Sequence, residues 1–136
     1  MNADGTPMNA DMNRSRLDMI SQRVIGAAQR VSSSLGVGFL EKVYENSLLL
    51  ELEAAGIRAE QQRPIHVSYK GKVVGDYIPD ILVESEMVVE IKALPTLEPN
   101  HRQQCINYLR ATNLKVCLLL NFGRPRMEVR RIVWNF

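Results

Sequence analysis

Cysteine is scarce in this chain: Cys105 and Cys117 are the only two, no Cys-x-x-Cys spacing occurs, and His66 and His101 are the only histidines. That excludes a disulfide framework and offers no zinc-ligand pattern, so both thiols are expected to be reduced core residues. Long apolar runs are missing as well. The longest, Val116–Leu120, is far below the roughly 18 residues that cross a bilayer, and the polar opening residues contain no secretory apolar region. A soluble cytoplasmic protein with no membrane contact is the expectation. At 136 residues the chain has room for one globular domain and not for a second full one.

Net charge is also small, at +2, but unevenly spread. From His101 onward the balance is +6, with Glu128 as the single acid, whereas the first hundred residues sum to −4. A basic end beside an acidic front is compatible with a polyanion surface facing a carboxylate cluster that holds a metal.

Residues 1–14 lack apolar periodicity and repeat Met-Asn-Ala-Asp at 1–4 and 8–11, which predicts a disordered leader before a domain over 15–136. Ser15 and Asp18 read as a capping box for a first helix with Leu17, Ile20, Val24, Ala28, Val31 and Leu35 at helical spacing. Gly36-Val37-Gly38 interrupts it, and a second helix is expected from about Phe39 to Ala55, stopped by Gly56. The period then becomes two. Strands are predicted at 65–69, 73–83 and 87–93, a helix opening within Pro95–Pro99 and reaching about Ala111, and strands at 115–121 and 127–134. A hairpin set followed by a helical crossover into further strands implies an α/β fold, a mixed sheet flanked by helices.

Pro79-Asp80 is followed ten residues later by Glu90-Ile91-Lys92. Residues two apart in a strand share a face, so Glu90 and Lys92 project together. Asp80 joins them if the hairpin register sets it opposite Glu90, whereas a slip of one residue sends it to the other face. Asp80, Glu90 and the Ile91 carbonyl form a donor set suited to Mg²⁺, with Mn²⁺ able to substitute. Lys92, beside that position, could orient or deprotonate an attacking water while a phosphodiester is displaced in line. On the second helix Glu41 and Tyr44 lie three apart on one face. Glu41 could add a third acidic group to the metal site, and Tyr44 is expected at the substrate. On the later helix His101, Gln104 and Tyr108 can aim their polar tips at one place, a substrate-binding group.

Gly38-x-x-Glu41-x-x-Tyr44, Asp80-Ile81-Leu82-Val83, Val89-Glu90-Ile91-Lys92-Ala93, Gln104-x-x-x-Tyr108-Leu109 and Leu118-Leu119-Leu120-Asn121-Phe122-Gly123, in that order, resemble the GxxExxY protein family, which is grouped with the PD-(D/E)XK nuclease superfamily. The resemblance covers residues 17–136. It implies a restriction-endonuclease-like core with a mixed sheet of about five strands, Asp80 and Glu90 as metal ligands, Lys92 as the catalytic lysine and Glu41 as an acidic residue from the helix. Gln104 and Tyr108 match the Gln-x-x-x-Tyr element of the exonuclease subgroup, which supports the active site and contacts DNA.

The expected function is therefore a Mg²⁺-dependent nuclease acting on DNA. The alternatives are a noncatalytic nucleic-acid-binding module and a dimeric assembly module on the same fold, with a homodimer or a targeting protein as partner. In the dimeric reading, Val116–Leu120 and the aromatic end Val133-Trp134-Asn135-Phe136 would lie at a subunit boundary.

Overall fold

A strand apolar at every position belongs in the middle of a sheet covered on both faces, and Val116–Leu120 is buried throughout. A computed structural model describes residues 8–136, with side-chain surroundings from residue 12. The elements run α1 (Met8–Leu35), α2 (Glu41–Ala54), β1 (Ala59–Gln61), β2 (Ile65–Tyr69), β3 (Lys72–Tyr77), β4 (Ile81–Val83), β5 (Met87–Lys92), α3 (Pro99–Thr112), β6 (Val116–Asn121) and β7 (Glu128–Val133). Five strands form one sheet in the order β1-β4-β5-β6-β7, while β2 pairs with β3 alone. β5 and β6 are parallel and the other neighbours antiparallel. The sheet is thus mixed, with α3 as the crossover that a parallel pair requires.

Alternation assigns the two faces. Met87, Val89 and Ile91 of β5, with Val116, Leu118 and Leu120 of β6, pack against Leu17, Val24, Ala28 and Val31 of α1 and Tyr44, Leu48 and Leu52 of α2. Val88, Cys117, Leu119 and Ile132 face Cys105 and Leu109 of α3. Full burial of each large aliphatic side chain contributes about 1.5–3 kcal/mol, so the β5–β6 pair anchors both layers. Cys105 and Cys117 are free and buried, in the core as expected.

Several boundaries differ from the sequence reading. Seven residues of the expected leader, 1–7, lie outside the described residues, but the helix already runs from Met8. No glycine or proline interrupts the chain between Met8 and Gly26, so Ser15 is interior and Asp18 pairs with Arg131 of β7 instead of capping. α3 opens at Pro99, at the end of the expected Pro95–Pro99 stretch, with the Glu98 N–H donating to His101 Nδ1 at 3.0 Å. The strand expected over 73–83 is two strands in two sheets, and β1 was not anticipated.

Both differences have one cause. Ala59 faces Val83 and Gln61 faces Ile81. Four residues further on each strand Ile65 faces Tyr77 with the register unchanged. β1–β2 and β3–β4 are the two sides of one long hairpin that is broken in the middle. The break contains Pro64 and Pro79, which cannot donate to a ladder, and Gln62 with φ of 54°. Beyond it the β2–β3 arm leaves the main sheet.

The chain end is covered from within. Trp134 packs against the α3 layer under the Arg110 guanidinium, and Phe136 packs on the α1 layer between Arg14 and Arg131. Val116–Leu120 is thus committed to the core, whereas at the chain end Trp134 and Phe136 are half-buried and Val133 stays exposed. Among the described residues no helix is long and apolar enough to cross a membrane.

Candidate active site

The break in the hairpin delivers Asp80. β4 pairs with β5 so that Ile81 faces Val89 and Leu82 faces Val88; one step further along this register Asp80 stands opposite Glu90, the pairing the expectation required. The next step would oppose Pro79 to Ile91, but β4 has ended. The Ile91 N–H is taken instead by Asp80 Oδ2 at 2.8 Å. The Lys92 carbonyl accepts from the Phe122 N–H at 2.8 Å on the β6 side. The Ile91 carbonyl therefore points the other way, toward the end of β4, where Pro79 has no N–H to offer it.

Glu90 is mostly buried, and burial raises its carboxyl from an ordinary 4.5 to about 8, with the charge of Asp80 acting in the same direction and a hydrogen bond from Tyr77 opposing both. The Glu90 carboxyl therefore holds its proton at neutral pH. The Tyr77 hydroxyl donates to Glu90 Oε1. Burial first, and Glu90 second, push the Tyr77 phenol far above its usual range, which makes it a permanent donor. The Tyr77 ring stacks on Tyr108 of α3 with centroids 3.7 Å apart, and the Tyr108 hydroxyl accepts from Gln104 Nε2 at 2.8 Å. Gln104, Tyr108, Tyr77, Glu90 and Asp80 are thus linked in sequence from the helix to the strand edge.

Lys92 shares the α3-facing side of β5 with Glu90 and is half-buried. Its charge reaches Cys105, whose thiol is lowered chiefly by a hydrogen bond from Cys117, against the effect of burial. The position of Lys92 is held from β6. Asn121, with no exposed surface, accepts from the Leu94 N–H at 2.8 Å and donates to the Leu94 carbonyl at 3.0 Å and to Glu128 at 2.8 Å. Gly123 lies so close to Ala93 and Leu94 that a Cβ there would collide with their backbone. The chain leaving β5 is therefore clamped two residues after Lys92.

Across the sheet, Glu41 opens α2 and is exposed. Glu41, Lys42, Glu45, Asp80 and Ala93 line an open cavity of about 530 Å³. Glu45, one turn after Glu41, is buried and accepts from Lys42 at 2.9 Å and from Gln61 at 2.7 Å.

Asp80 is the hinge of the arrangement, standing across from Glu90 on the neighbouring strand and sharing a cavity with Glu41. Among the described residues no three His, Cys, Asp or Glu side chains group as a ready metal cage. Of the expected donors Asp80, Glu90, Ile91 and Glu41, Glu90 receives the Tyr77 hydroxyl and Glu41 reaches Asp80 through their common cavity. What is assembled fits a hard cation: the Asp80 and Glu90 carboxyls on adjacent strands, beside the Ile91 carbonyl, which finds no N–H at Pro79. Mg²⁺ commonly uses one or two carboxylates and completes its shell with water and phosphate oxygens.

Tyr44 is corrected. It has no exposed surface; its hydroxyl donates to the Gly36 carbonyl at 2.7 Å and accepts from the Phe39 N–H at 3.2 Å, and its ring stacks on Phe122 at 4.7 Å. The tyrosine pins the loop that sets Glu41, with Gly36 and Gly38 supplying its positive-φ turns, and does not reach substrate. Tyr44→Phe should lower unfolding free energy by about 1 kcal/mol, as checked by urea titration. His101 uses Nδ1 in the start of α3.

Tyr77, Glu45 and Asn121 were not anticipated. Glu45 was accessible in principle, four residues after Glu41 on one helix face. Tyr77 was hidden because it read as an ordinary strand residue.

A family profile described as the PD-(D/E)XK nuclease superfamily matches residues 18–132. No curated protein matches the sequence. Among solved structures, the crystal structure of SSO0001 is similar, with 20% identity and a TM-score of 0.53 over 70% of this chain and 50% of that one. An alkaline exonuclease, LHK-Exo from Laribacter hongkongensis, aligns at 16% identity and a TM-score of 0.47 over 64% of this chain and 52% of its own. The chain spans about half the length of each. The five-stranded mixed sheet flanked by helices is restriction-endonuclease-like.

Proposed function

Because the chain belongs to the PD-(D/E)XK nuclease superfamily, we propose that it is a Mg²⁺-dependent nuclease of the GxxExxY type, hydrolysing DNA phosphodiester bonds with Asp80, Glu90 and Lys92 in a domain over residues 15–136. The observation that carries this reading is the placement of Asp80 across from Glu90, one step beyond the β4–β5 ladder, where the charge of Asp80 helps to raise the Glu90 carboxyl, with Lys92 two residues along the same face. When bound, a divalent cation neutralises the carboxylates and the charge developing on the phosphoryl oxygen. Asp80, Glu90 and the Ile91 carbonyl would hold it, with Glu41 reached through the cavity it shares with Asp80. The Lys92 ammonium orients the attacking water and offsets negative charge at the phosphate. Gln104 and Tyr108 keep Tyr77 in place against Glu90, and through it fix the carboxyl's rotamer.

Substrate charge has a matching surface. Arg124 and Arg126 are exposed in the turn after β6, at the same end of the parallel β5–β6 pair as Lys92, whereas Arg130 and Arg131 are paired with Glu128 and Asp18. The free guanidiniums suit phosphates flanking the scissile bond. Reduced, buried thiols at Cys105 and Cys117 fit a cytoplasmic location.

The test is a cleavage assay with Mg²⁺ or Mn²⁺ over linear, circular, single-stranded and branched DNA, with EDTA as control. Product that depends on the cation is expected, and the circular substrate separates endonuclease from exonuclease action. Salt-sensitive DNA binding without product under any of these conditions would replace the enzyme with a noncatalytic binding module.

A further inference from the structure

The β2–β3 arm is a two-stranded ribbon with neither outer edge paired, an arrangement that has little stability of its own in water. Its inner half is supported, since Ile65 and Val67 pack on the α3 layer and Tyr77 ties the base to Glu90. Its outer half is not. Tyr69 is 63% exposed, Val73 61% and Val74 64%, and the tip reads Tyr69-Lys70-Gly71-Lys72.

The register decides which way the tip faces. Cross-strand partners share a face, so Ile65 lies with Tyr77 and Tyr69 with Lys72. Ile65, Val67 and Tyr69 alternate along β2 on one side, which places Tyr69 and Lys72 on the face that carries Tyr77 at the base. Lys70 and Gly71 both have positive φ, 51° and 78°, the requirement of a tight two-residue turn. The Lys70 ammonium sits 5.5 Å over the Tyr69 ring. Asp76 is matched by His66 at 2.6 Å and Arg63 by Glu60 at 2.7 Å. Among the described residues, Lys70 and Lys72 have no acidic partner, so the tip carries two uncompensated positive charges around an exposed aromatic ring.

We infer that the β2–β3 arm is a nucleic-acid clamp, in which Tyr69 stacks on a base while Lys70 and Lys72 hold backbone phosphates upstream or downstream of the reacting bond. The inference rests on the nuclease reading and adds a substrate-positioning element to it. The five steps from Lys72 to Tyr77, which include a bulge, span at most about 17 Å. At about 3.4 Å of helix rise per nucleotide, the tip meets the strand within about five nucleotides of the carboxylate pair. Charge complementarity selects nucleic acid over a second copy of the chain, which would bring the same lysines together.

The experiment compares wild type with Tyr69→Ala and with the double variant Lys70→Ala/Lys72→Ala. Binding of fluorescein-labelled DNA, single-stranded and duplex, is followed by anisotropy over a series of KCl concentrations in EDTA, and cleavage is measured beside it. The lysine variant should weaken Kd by about tenfold at low salt and flatten the slope of log Kd against log salt by about 1.4 to 1.8. Tyr69→Ala should weaken Kd by about tenfold with the slope retained. Both should keep kcat at saturating substrate, because neither residue touches the reacting atoms. Unchanged Kd and slope in variants of an active wild type would overturn the clamp and leave the nuclease reading standing. A wild type that neither binds nor cleaves removes both. A dimeric wild type that Tyr69→Ala converts to monomer by light scattering, with DNA affinity unaltered, would instead assign the arm to self-association and reject the clamp.

Discussion

Asp80→Asn and Lys92→Ala should each reduce metal-dependent cleavage by about a thousandfold or more while leaving the circular dichroism spectrum at that of wild type. The two variants remove different things. An amide at position 80 still accepts from the Ile91 N–H, which the carboxylate now binds at 2.8 Å, so the end of β4 keeps its hydrogen bond. The lost charge abolishes half of the cation's neutralising pair. It also removes the second of the causes that raise Glu90, so the Glu90 carboxyl should titrate nearer its ordinary range in this variant. Lys92→Ala leaves both carboxyls in place and withdraws the ammonium from the phosphate. Loss of one positioned acid–base or electrostatic group typically costs about 10²–10⁴ in rate. Initial rates on the best substrate, beside far-ultraviolet spectra and thermal melts, decide the matter. Activity within tenfold of wild type in both would reject this site.

The second large effect is on stability. Glu90 in the folded protein binds its proton up to about pH 8, against 4.5 for the ordinary carboxyl. Between those values the folded state holds more protons than the unfolded chain, so unfolding free energy falls as pH rises through that window. Each tenfold difference in proton affinity is worth about 1.4 kcal/mol, which makes the loss a few kcal/mol in EDTA. Urea titrations at intervals from pH 5 to 8.5 should show this decline in wild type and a much flatter profile in Glu90→Gln, which cannot ionise. The same proton competes with a cation, so the Mg²⁺ concentration needed for half-maximal cleavage should fall as pH rises toward 8. A wild-type stability profile parallel to that of Glu90→Gln would mean that the proton is not held where the geometry puts it.

How much of this was legible in the sequence depends on how far apart the interacting residues are. The alternation that puts Glu90 and Lys92 on one side of a strand is a property of adjacent residues, whereas Asp80 across from Glu90 was one of two registers open to the sequence, and the β4–β5 pairing selects it. The helical stripe from Leu17 to Leu35 and the buried run Val116–Leu120 were readable for the same reason. The break at Pro64 and Pro79 was half legible: prolines that cannot pair were visible, but the continuity of register across the gap was not.

The sequence alone therefore determined the class of fold, the common face of Glu90 and Lys92, and the residue types able to hold a cation. Tertiary structure alone decided that Tyr77 donates to Glu90, that Tyr44 is sealed behind Phe122 and pins the Gly36–Leu40 loop, that Asn121 clamps the chain beyond Lys92, and that Glu41 shares a cavity with Asp80. Periodicity fixes which side of its own element a residue occupies. What stands on the far side of the gap is set by packing between segments remote along the chain, and no local pattern encodes that.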